Sequence, residues 1–339
     1  MGRKPQTLTK TYRIIYTTSV PMKSRKHLFL STKSLVFCVD VMCLTALVCG
    51  CATNGGMNSV RFGARVPVIL YHRIVPDSFK SGPISGQDDP QLYLRSESQF
   101  KKEMAYLADH GYTPISLYQL RDYLLAKDSK LLPSRPVVIT FDDGSADWFE
   151  IVYPILVRHG FTATFFLITD DASRRKYLGE SIAANWKQIE QMANYKSDGG
   201  RHLFHFESHS HTHRDLSETL AQGTGDAAQK TATSKDGAAI VRHELTESMK
   251  IIEQRTGRKP RFLALPFGGG GWASPRDERT FPILKAIAGE VGYYGIRTSR
   301  RDIPNDLTTD PYKLGAQITM LSITSYERFL EQLKRLESR

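Results

Sequence analysis

At 339 residues the chain can hold one large α/β domain or two small ones. Its formal charge of +11 invites a nucleic-acid reading, yet residues 1–34 carry eight Lys or Arg and no acid, and from residue 51 onward basic residues exceed acidic ones by only four. That is ordinary for a soluble domain, and with no Lys/Arg stripe interleaved with aromatics no nucleic-acid partner is expected.

The basic N-terminus runs into Leu35 to Val48, apolar apart from Asp40 and shorter than the about 20 residues a membrane span wants. Basic residues followed by such a run read as an export signal. It ends Leu47-Val48-Cys49-Gly50-Cys51, which resembles a bacterial lipoprotein cleavage site with Cys51 as the lipidated residue. Met22-Lys23-Ser24-Arg25-Lys26 makes a more typical signal opening, so Met22 is an alternative start. The competing reading is an uncleaved N-terminal anchor. All four cysteines (Cys38, Cys43, Cys49, Cys51) lie here, so the remainder needs no disulfide. The expected organisation is a signal with lipobox over 1–50, a small polar tether over 51–65 and a single domain over 66–339.

Pro67-Val68-Ile69-Leu70-Tyr71 is a short continuous apolar run, the signature of a buried strand. Ser98 to His110 has helical spacing at Phe100, Met104, Leu107 and Ala108 and stops at Gly111, a C-terminal cap signal. There follow a strand near 112–115, a helix 117–126, a strand 136–141, a helix 147–159 ended by Gly160, a strand 162–168 and a helix near 186–194. A strand at 203–207, a helix around 238–256, strands near 261–265, 293–297 and 315–319 and a helix 325–337 complete the series. Residues 221–237, low in large apolar side chains, read as a mobile surface insertion. Such alternation argues for a parallel sheet with helices outside it; pattern alone does not separate an open doubly wound sheet from a closed barrel.

Two stretches carry chemistry. Thr140-Phe141-Asp142-Asp143-Gly144 puts adjacent carboxylates at the end of an apolar run, and His209-Ser210-His211-Thr212-His213 gathers three imidazoles within five residues. An Asp with two His suffices for a catalytic zinc, which takes three protein ligands and keeps a fourth position for water. A spare carboxylate beside them can deprotonate that water. Consecutive side chains at a strand end point different ways, so one Asp can bind metal while the other faces the substrate. His209 and His213 are four apart, the spacing at which side chains meet on one helical turn. The plain alternative for the first stretch is a solvated Asp-Asp-Gly turn. A His-x-His pair also opens many amidohydrolase and phosphoesterase metal sites, but those want further ligands downstream, and after His213 the only histidine is His243.

The strand, the T-F-D-D-G turn and the later segment His209 to Leu216 resemble the polysaccharide deacetylases, the NodB-homology or carbohydrate esterase family 4 enzymes. Phe161 to Phe166, Trp186 to Ile189, Glu244 to Ser248 and Phe262 to Gly268 fit the same ordered set, and the likeness runs from about residue 66 to about residue 335. The resemblance implies a distorted (β/α) barrel of about seven strands in a single domain, with the motifs at the carboxyl ends of the strands. It implies Asp142 as general base and Asp143, His209 and His213 as ligands of one divalent metal, zinc being the expected ion. His211, between the two, is not expected to be a ligand.

Many family members supply the general acid from a Leu-x-His near the C-terminus; this chain instead has Leu70-Tyr71-His72 at the end of its first strand. In the exopolysaccharide deacetylases that act on poly-β-1,6-N-acetylglucosamine the order is circularly permuted and this motif leads, so His72 is the expected acid. Leu265-Pro266-Phe267-Gly268 resembles the family's third motif, whose backbone N–H helps hold the oxyanion; the donor would be Phe267, since Pro266 has no N–H. Many members carry an Arg two residues before that Pro to orient the base, and here Ala264 stands in its place. Asp310-Pro311-Tyr312 looks like a further subgroup landmark with no assigned role. Trp148 and Trp272 have the chemistry of sugar-stacking residues, or equally of core.

The expected activity is metal-dependent N-deacetylation of an N-acetylhexosamine polysaccharide such as poly-N-acetylglucosamine, releasing acetate, by a hydrolase of carbon–nitrogen bonds other than peptide bonds. Peptidoglycan, chitin oligomers and O-acetyl esters are rival substrates, and a non-catalytic sugar-binding lipoprotein is the rival from another class. The expected partners are the polymer, a bacterial membrane reached through lipid on Cys51, and exopolysaccharide synthesis or export proteins, on the periplasmic side or the cell surface.

Overall fold

In the computed structural model the described residues are 64–80, 82, 90–221, 235–268 and 275–337. The expected signal, Cys51, the tether as far as residue 63, Trp272 and residues 222–234 of the expected insertion lie outside them. Among the described residues no helix is long and apolar enough to cross a membrane.

The chain starts with β1 (Val68–Tyr71), β2 (Arg73–Val75), β3 (Leu94–Ser96), α1 (Glu97–Asp109), β4 (Thr113–Pro114) and α2 (Leu117–Ala126). Next come β5 (Pro136–Asp143), α3 (Tyr153–His159), β6 (Ala163–Leu167), α4 (Asp171–Leu178), α5 (Trp186–Asn194) and β7 (Phe204–Ser208). It ends with α6 (Leu216–Ala221), α7 (Lys235–Thr256), β8 (Phe262–Ala264), α8 (Pro275–Val291), β9 (Gly295–Arg297), β10 (Ile318–Thr319) and α9 (Tyr326–Glu337). Strands β10, β1, β5, β6, β7, β8 and β9 lie side by side in that order, all parallel. Leu314, just before β10, bridges in parallel to Arg297 of β9, so one short segment links the two ends of the row into a distorted barrel. The sheet is the expected seven-stranded parallel one. β4 pairs with the start of β5, and β2 with β3 forms a separate parallel pair.

Every residue of β5 is buried, the reason its sequence is a continuous apolar run rather than an alternating one. Alternation survives as direction. Tyr71, Phe141, Phe165 and Phe206 are register partners across four strands, and their rings stack at 5.3, 5.0 and 5.3 Å in the outer layer beneath α1, α3, α5 and α9. Val68, Leu70, Val138, Phe166, Phe262 and Ala264 turn the other way and fill the barrel with Leu117, Leu120 and Leu124 of α2. The inward series ends at the carboxyl ends in His72, Asp142, His209 and Arg297, and deeper in the barrel one further carboxylate, buried Glu207 of β7, accepts from Tyr118 of α2.

Caps explain several boundaries. Ser116 with Gln119 and Asn185 with Gln188 form capping boxes that start α2 and α5, and Gly160 ends α3 at φ 64°. The single helix expected over 147–159 instead opens with a π-helical turn, Trp148–Val152, and becomes α-helical only at Tyr153. Three helices were not anticipated: α4, whose one buried side chain is Arg174, the short α6, and α8, which carries Pro282. α7 begins at Lys235, so the last residues of the stretch expected as an insertion are helical.

Candidate metal centre and active site

Asp143, His209 and His213 each offer a ligand atom, and those atoms lie within 4.8 Å of one another with all three residues buried. The Nε2 atoms of His209 and His213 stand 3.4 and 3.6 Å from Asp143 Oδ1. His209 Nδ1 is 2.9 Å from the Ala264 carbonyl oxygen, a contact that puts the ring proton on Nδ1 and leaves the Nε2 lone pair facing Asp143. One carboxylate and two imidazoles from one side leave room for water, the donor set of an open catalytic zinc site. Burial works to raise the Asp143 pKa, but the His209 hydrogen bond and the neighbouring imidazoles outweigh it and hold it at about 2. Burial, then the charge of His209, pushes His213 down to about 4. Burial alone would lower His209 too, yet the carboxylates of Asp142 and Asp143 raise it.

The expectation that Asp142 and Asp143 diverge needs correction. Both approach His209 Nε2, Asp142 Oδ2 at 3.9 Å, because Asp143 has φ 87° and leaves the strand alternation. Gly144 follows at φ 105°, where a Cβ would come within 2.7 Å of Leu167 Cδ1 and Arg174 Cδ, so only glycine fits the turn.

The histidine segment is not a helical turn, contrary to its spacing. It is an irregular loop after β7, with Ser210 at φ 62° and His213 at φ 60°. Helix α7 holds it: the buried Glu244 carboxylate accepts from His211 N (3.0 Å), Thr212 N (2.8 Å) and Thr212 Oγ1 (2.5 Å). Ser248, one turn further along, is 2.7 Å from Ser208 Oγ, which accepts from Ser210 N, and Ser210 Oγ accepts from His213 N. His211 is turned away, its Nδ1 3.1 Å from Thr169 Oγ1.

Register sets the rest. Tyr71 is level with Phe141, which puts His72 level with Asp142 on the neighbouring strand. Burial lowers the His72 pKa, the charges of Asp143 and Asp142 working against the shift, and its Nδ1 is buried without a hydrogen-bond partner. The His72 carbonyl accepts from Trp148 Nε1 at 2.9 Å. Trp148 is 1% exposed and packs on Phe141 and Phe165, so it has no face for a sugar; it is core, and it holds the backbone of His72. Asp310 caps the turn Pro311–Lys313 and pairs with Lys285, a structural part.

Sequence reasoning missed three groups. Arg297 donates to Asp142 Oδ2 from β9; its signal was a charged residue at the carboxyl end of an expected barrel strand. Tyr177 of the unanticipated α4 packs its ring 4.2 Å from that of His213. The Phe267 ring, and not only its backbone, lies at the site: the residue is 63% exposed, its ring is 4.7 Å from that of His213, and it follows buried Pro266 at φ 56°. A cleft of ≈ 520 Å³, counting solvent at its mouth, opens over the site between His72, Asp143, Tyr93, Phe79 and Tyr177.

Barrel and site together point to one class: the family model described as Polysaccharide deacetylase matches residues 130–286 of the chain. That stretch contains Asp142, Asp143, His209, His213 and Phe267 and excludes His72 and Arg297. The poly-beta-1,6-N-acetyl-D-glucosamine N-deacetylase of Staphylococcus aureus (strain MSSA476) is a homologue, 25% identical over 276 residues, 80% of this chain and 86% of the relative. Two solved structures share the fold. The Streptococcus pyogenes deacetylase PplD in complex with acetate has a TM-score of 0.56 at 18% identity, over 80% of this chain and 99% of that one. IcaB from Ammonifex degensii has a TM-score of 0.56 at 20% identity, over 80% and 98%. The homologues are polysaccharide N-deacetylases, hydrolases of carbon–nitrogen bonds, which is the enzyme class expected from the sequence.

Proposed function

We propose that this protein is a metal-dependent N-deacetylase of a poly-β-1,6-N-acetylglucosamine-type polymer. The observation that carries the reading is the buried Asp143–His209–His213 group, with a second carboxylate, Asp142, at the same imidazole. The relative named above as acting on that polymer aligns with most of this chain, which supports the substrate. A divalent ion, zinc by donor type, would be held by Asp143, His209 and His213 and would supply a Lewis acid and an acidified water.

The chain's own groups divide the remaining work. Asp142 takes a proton from the attacking water as its oxygen bonds to the acetyl carbonyl carbon. The Phe267 N–H donates to the oxygen on which charge develops. His72, level with Asp142 on the next strand, gives a proton to the sugar nitrogen as the carbon–nitrogen bond breaks. Acetate leaves, and the sugar keeps a free amine. Tyr93, Tyr177 and the Phe267 ring offer the apolar faces on which a pyranose ring stacks, the part that Trp148 does not play. The polymer lies outside the cytoplasm, so we place the domain beyond the membrane, exported by the N-terminal signal and tethered through Cys51, with the synthesis and export of the polymer left to other proteins.

Acetate release from poly-β-1,6-N-acetylglucosamine, chitin oligomers, peptidoglycan and an O-acetylated glycan, with and without chelator, tests the proposal. Release from the first polymer, stopped by chelator and restored by Zn2+, is the expected result. Preferential release from another glycan would replace the substrate; tight polymer binding without release would favour a sugar-binding protein.

A further inference from the structure

We propose that Arg297 is the positioning residue for the Asp142 carboxylate, supplying from β9 the guanidinium that position 264 on β8 does not supply. The inference rests on the general-base role given to Asp142 above. Ala264 and Arg297 are register partners on adjacent strands, both directed into the barrel. Strands lie ≈ 4.8 Å apart, a separation that a long arginine side chain spans, so either position can deliver a guanidinium to one carboxylate. The methyl group of Ala264 leaves that space to Arg297.

The guanidinium is held from two sides. Its Nη2 donates to Asp142 Oδ2, and its Cζ lies 5.1 Å from the centroid of the Phe166 ring. Phe166 is the register partner of Asp142 on β6, so the aromatic floor and the carboxylate belong to one level of the barrel. Arg297 is 0% exposed and Asp142 3%. Arg297 Nε and Nη1 are buried without hydrogen-bond partners. A buried ion pair so thinly matched returns little stability, because desolvating both charges opposes their attraction. What it does provide is orientation: with Oδ2 held, the carboxylate is fixed about its last torsion. Asp142 Oδ1, buried and without a partner, is left as the oxygen that accepts the proton from water.

The test uses the full chain, with kcat and KM for acetate release, metal content, and a crystal structure of each variant. Arg297→Ala should lose about 10²-fold in kcat, the usual effect of displacing a reacting group by about 1 Å, with KM and metal content little changed. Arg297→Lys should recover part of the loss. The double variant Ala264→Arg with Arg297→Ala should recover at least about tenfold over Arg297→Ala, because the guanidinium returns from the neighbouring strand. In the Arg297→Ala crystal structure the Asp142 carboxylate should leave its place near His209. Unchanged kcat in Arg297→Ala would overturn the proposal, as would a kcat loss with the carboxylate unmoved and no recovery in the double variant. Should Arg297→Ala not fold, the double variant is read against wild type: activity within about tenfold supports the proposal, and a folded double variant with about 10²-fold lower kcat overturns it. If wild type releases no acetate from any glycan, the deacetylase reading fails by itself, and the position of the Asp142 carboxylate with and without Arg297 still decides this one.

Discussion

Replacing Glu244 with Ala removes the acceptor that ties the histidine loop to α7. The carboxylate takes three hydrogen bonds, two from backbone N–H groups of His211 and Thr212 and one from the Thr212 hydroxyl. At about 1.5 kcal/mol each, the low end for a charged acceptor, their loss amounts to about 4.5 kcal/mol, and two backbone donors are left unmatched. Part of that cost appears as stability and part as metal affinity, since the loop must then be ordered by the ion itself. Loss of outer-shell support of this kind weakens metal binding about 10–100-fold, which is about 1.4–2.7 kcal/mol. Glu244→Gln should be much milder: an amide oxygen at the Oε2 position keeps both backbone bonds, and the amide nitrogen donates to Thr212 Oγ1, so affinity should fall less than about tenfold. Glu247→Ala, on the same helix but paired only with Lys250, serves as the control. Chelator competition for Zn2+ and melting curves with and without the ion measure both shares. Glu244→Ala binding zinc as tightly as wild type, or Glu244→Gln as weakly as the alanine variant, would refute the argument that this carboxylate builds the site.

His209→Ala or His213→Ala should remove most bound metal, whereas His211→Ala, which loses its contacts with Thr169 and the His243 ring, should leave metal content within about twofold by elemental analysis. Asp142→Asn should keep the metal and lose about 10²–10⁴-fold in turnover; His72→Ala should do the same, and turnover as fast as wild type in either variant would remove that residue from the mechanism. Glu207 is buried between Tyr118 and the β8 backbone, and burial raises its pKa from 4.5 to about 7. The folded state therefore holds the proton more tightly than the unfolded one, so stability is fully present below about pH 4.5 and falls by about 3 kcal/mol as pH rises toward 7. Denaturant unfolding at pH 5 and pH 8 should show that drop in wild type and a clearly smaller one in Glu207→Gln. Cys51→Ser should move the protein out of the membrane fraction or block its processing, and unchanged membrane retention would favour an uncleaved anchor.

The barrel could be read from the sequence because its strands are covered on both faces and so appear as unbroken apolar runs, β5 most clearly. Helices α2 and α5 match their expected limits since capping residues mark where each begins. Asp143, His209 and His213 were visible as residue types, but their geometry was not. Spacing four apart suggested a helix, whereas the two imidazoles converge because Glu244, far along the chain, holds the loop between them. Trp148 was ambiguous because an indole serves a sugar or a core equally well, and only its neighbours decide. Arg297 was hidden for another reason: its partner is set by strand register, and register is not written in either strand alone.

Closure of the sheet is what makes chain order irrelevant to the site. β1 lies between β10 and β5, and Leu314 ties the β10 segment back to β9, so the first strand in sequence is interior to the row. A histidine that follows β1 therefore comes level with the aspartate that an arginine ending β9 contacts, although 225 residues separate the two. Each arrives by the same rule: strands pair in parallel, inward positions recur at every second residue, and the inward positions at these carboxyl ends hold His72, Asp142, His209 and Arg297. A histidine supplied from the beginning of the chain and an arginine supplied from a different strand are then substitutions of origin, not of place. What the barrel has to conserve physically is the ring of positions around Asp142 and Asp143, and any strand that brings a suitable side chain to that level can fill one.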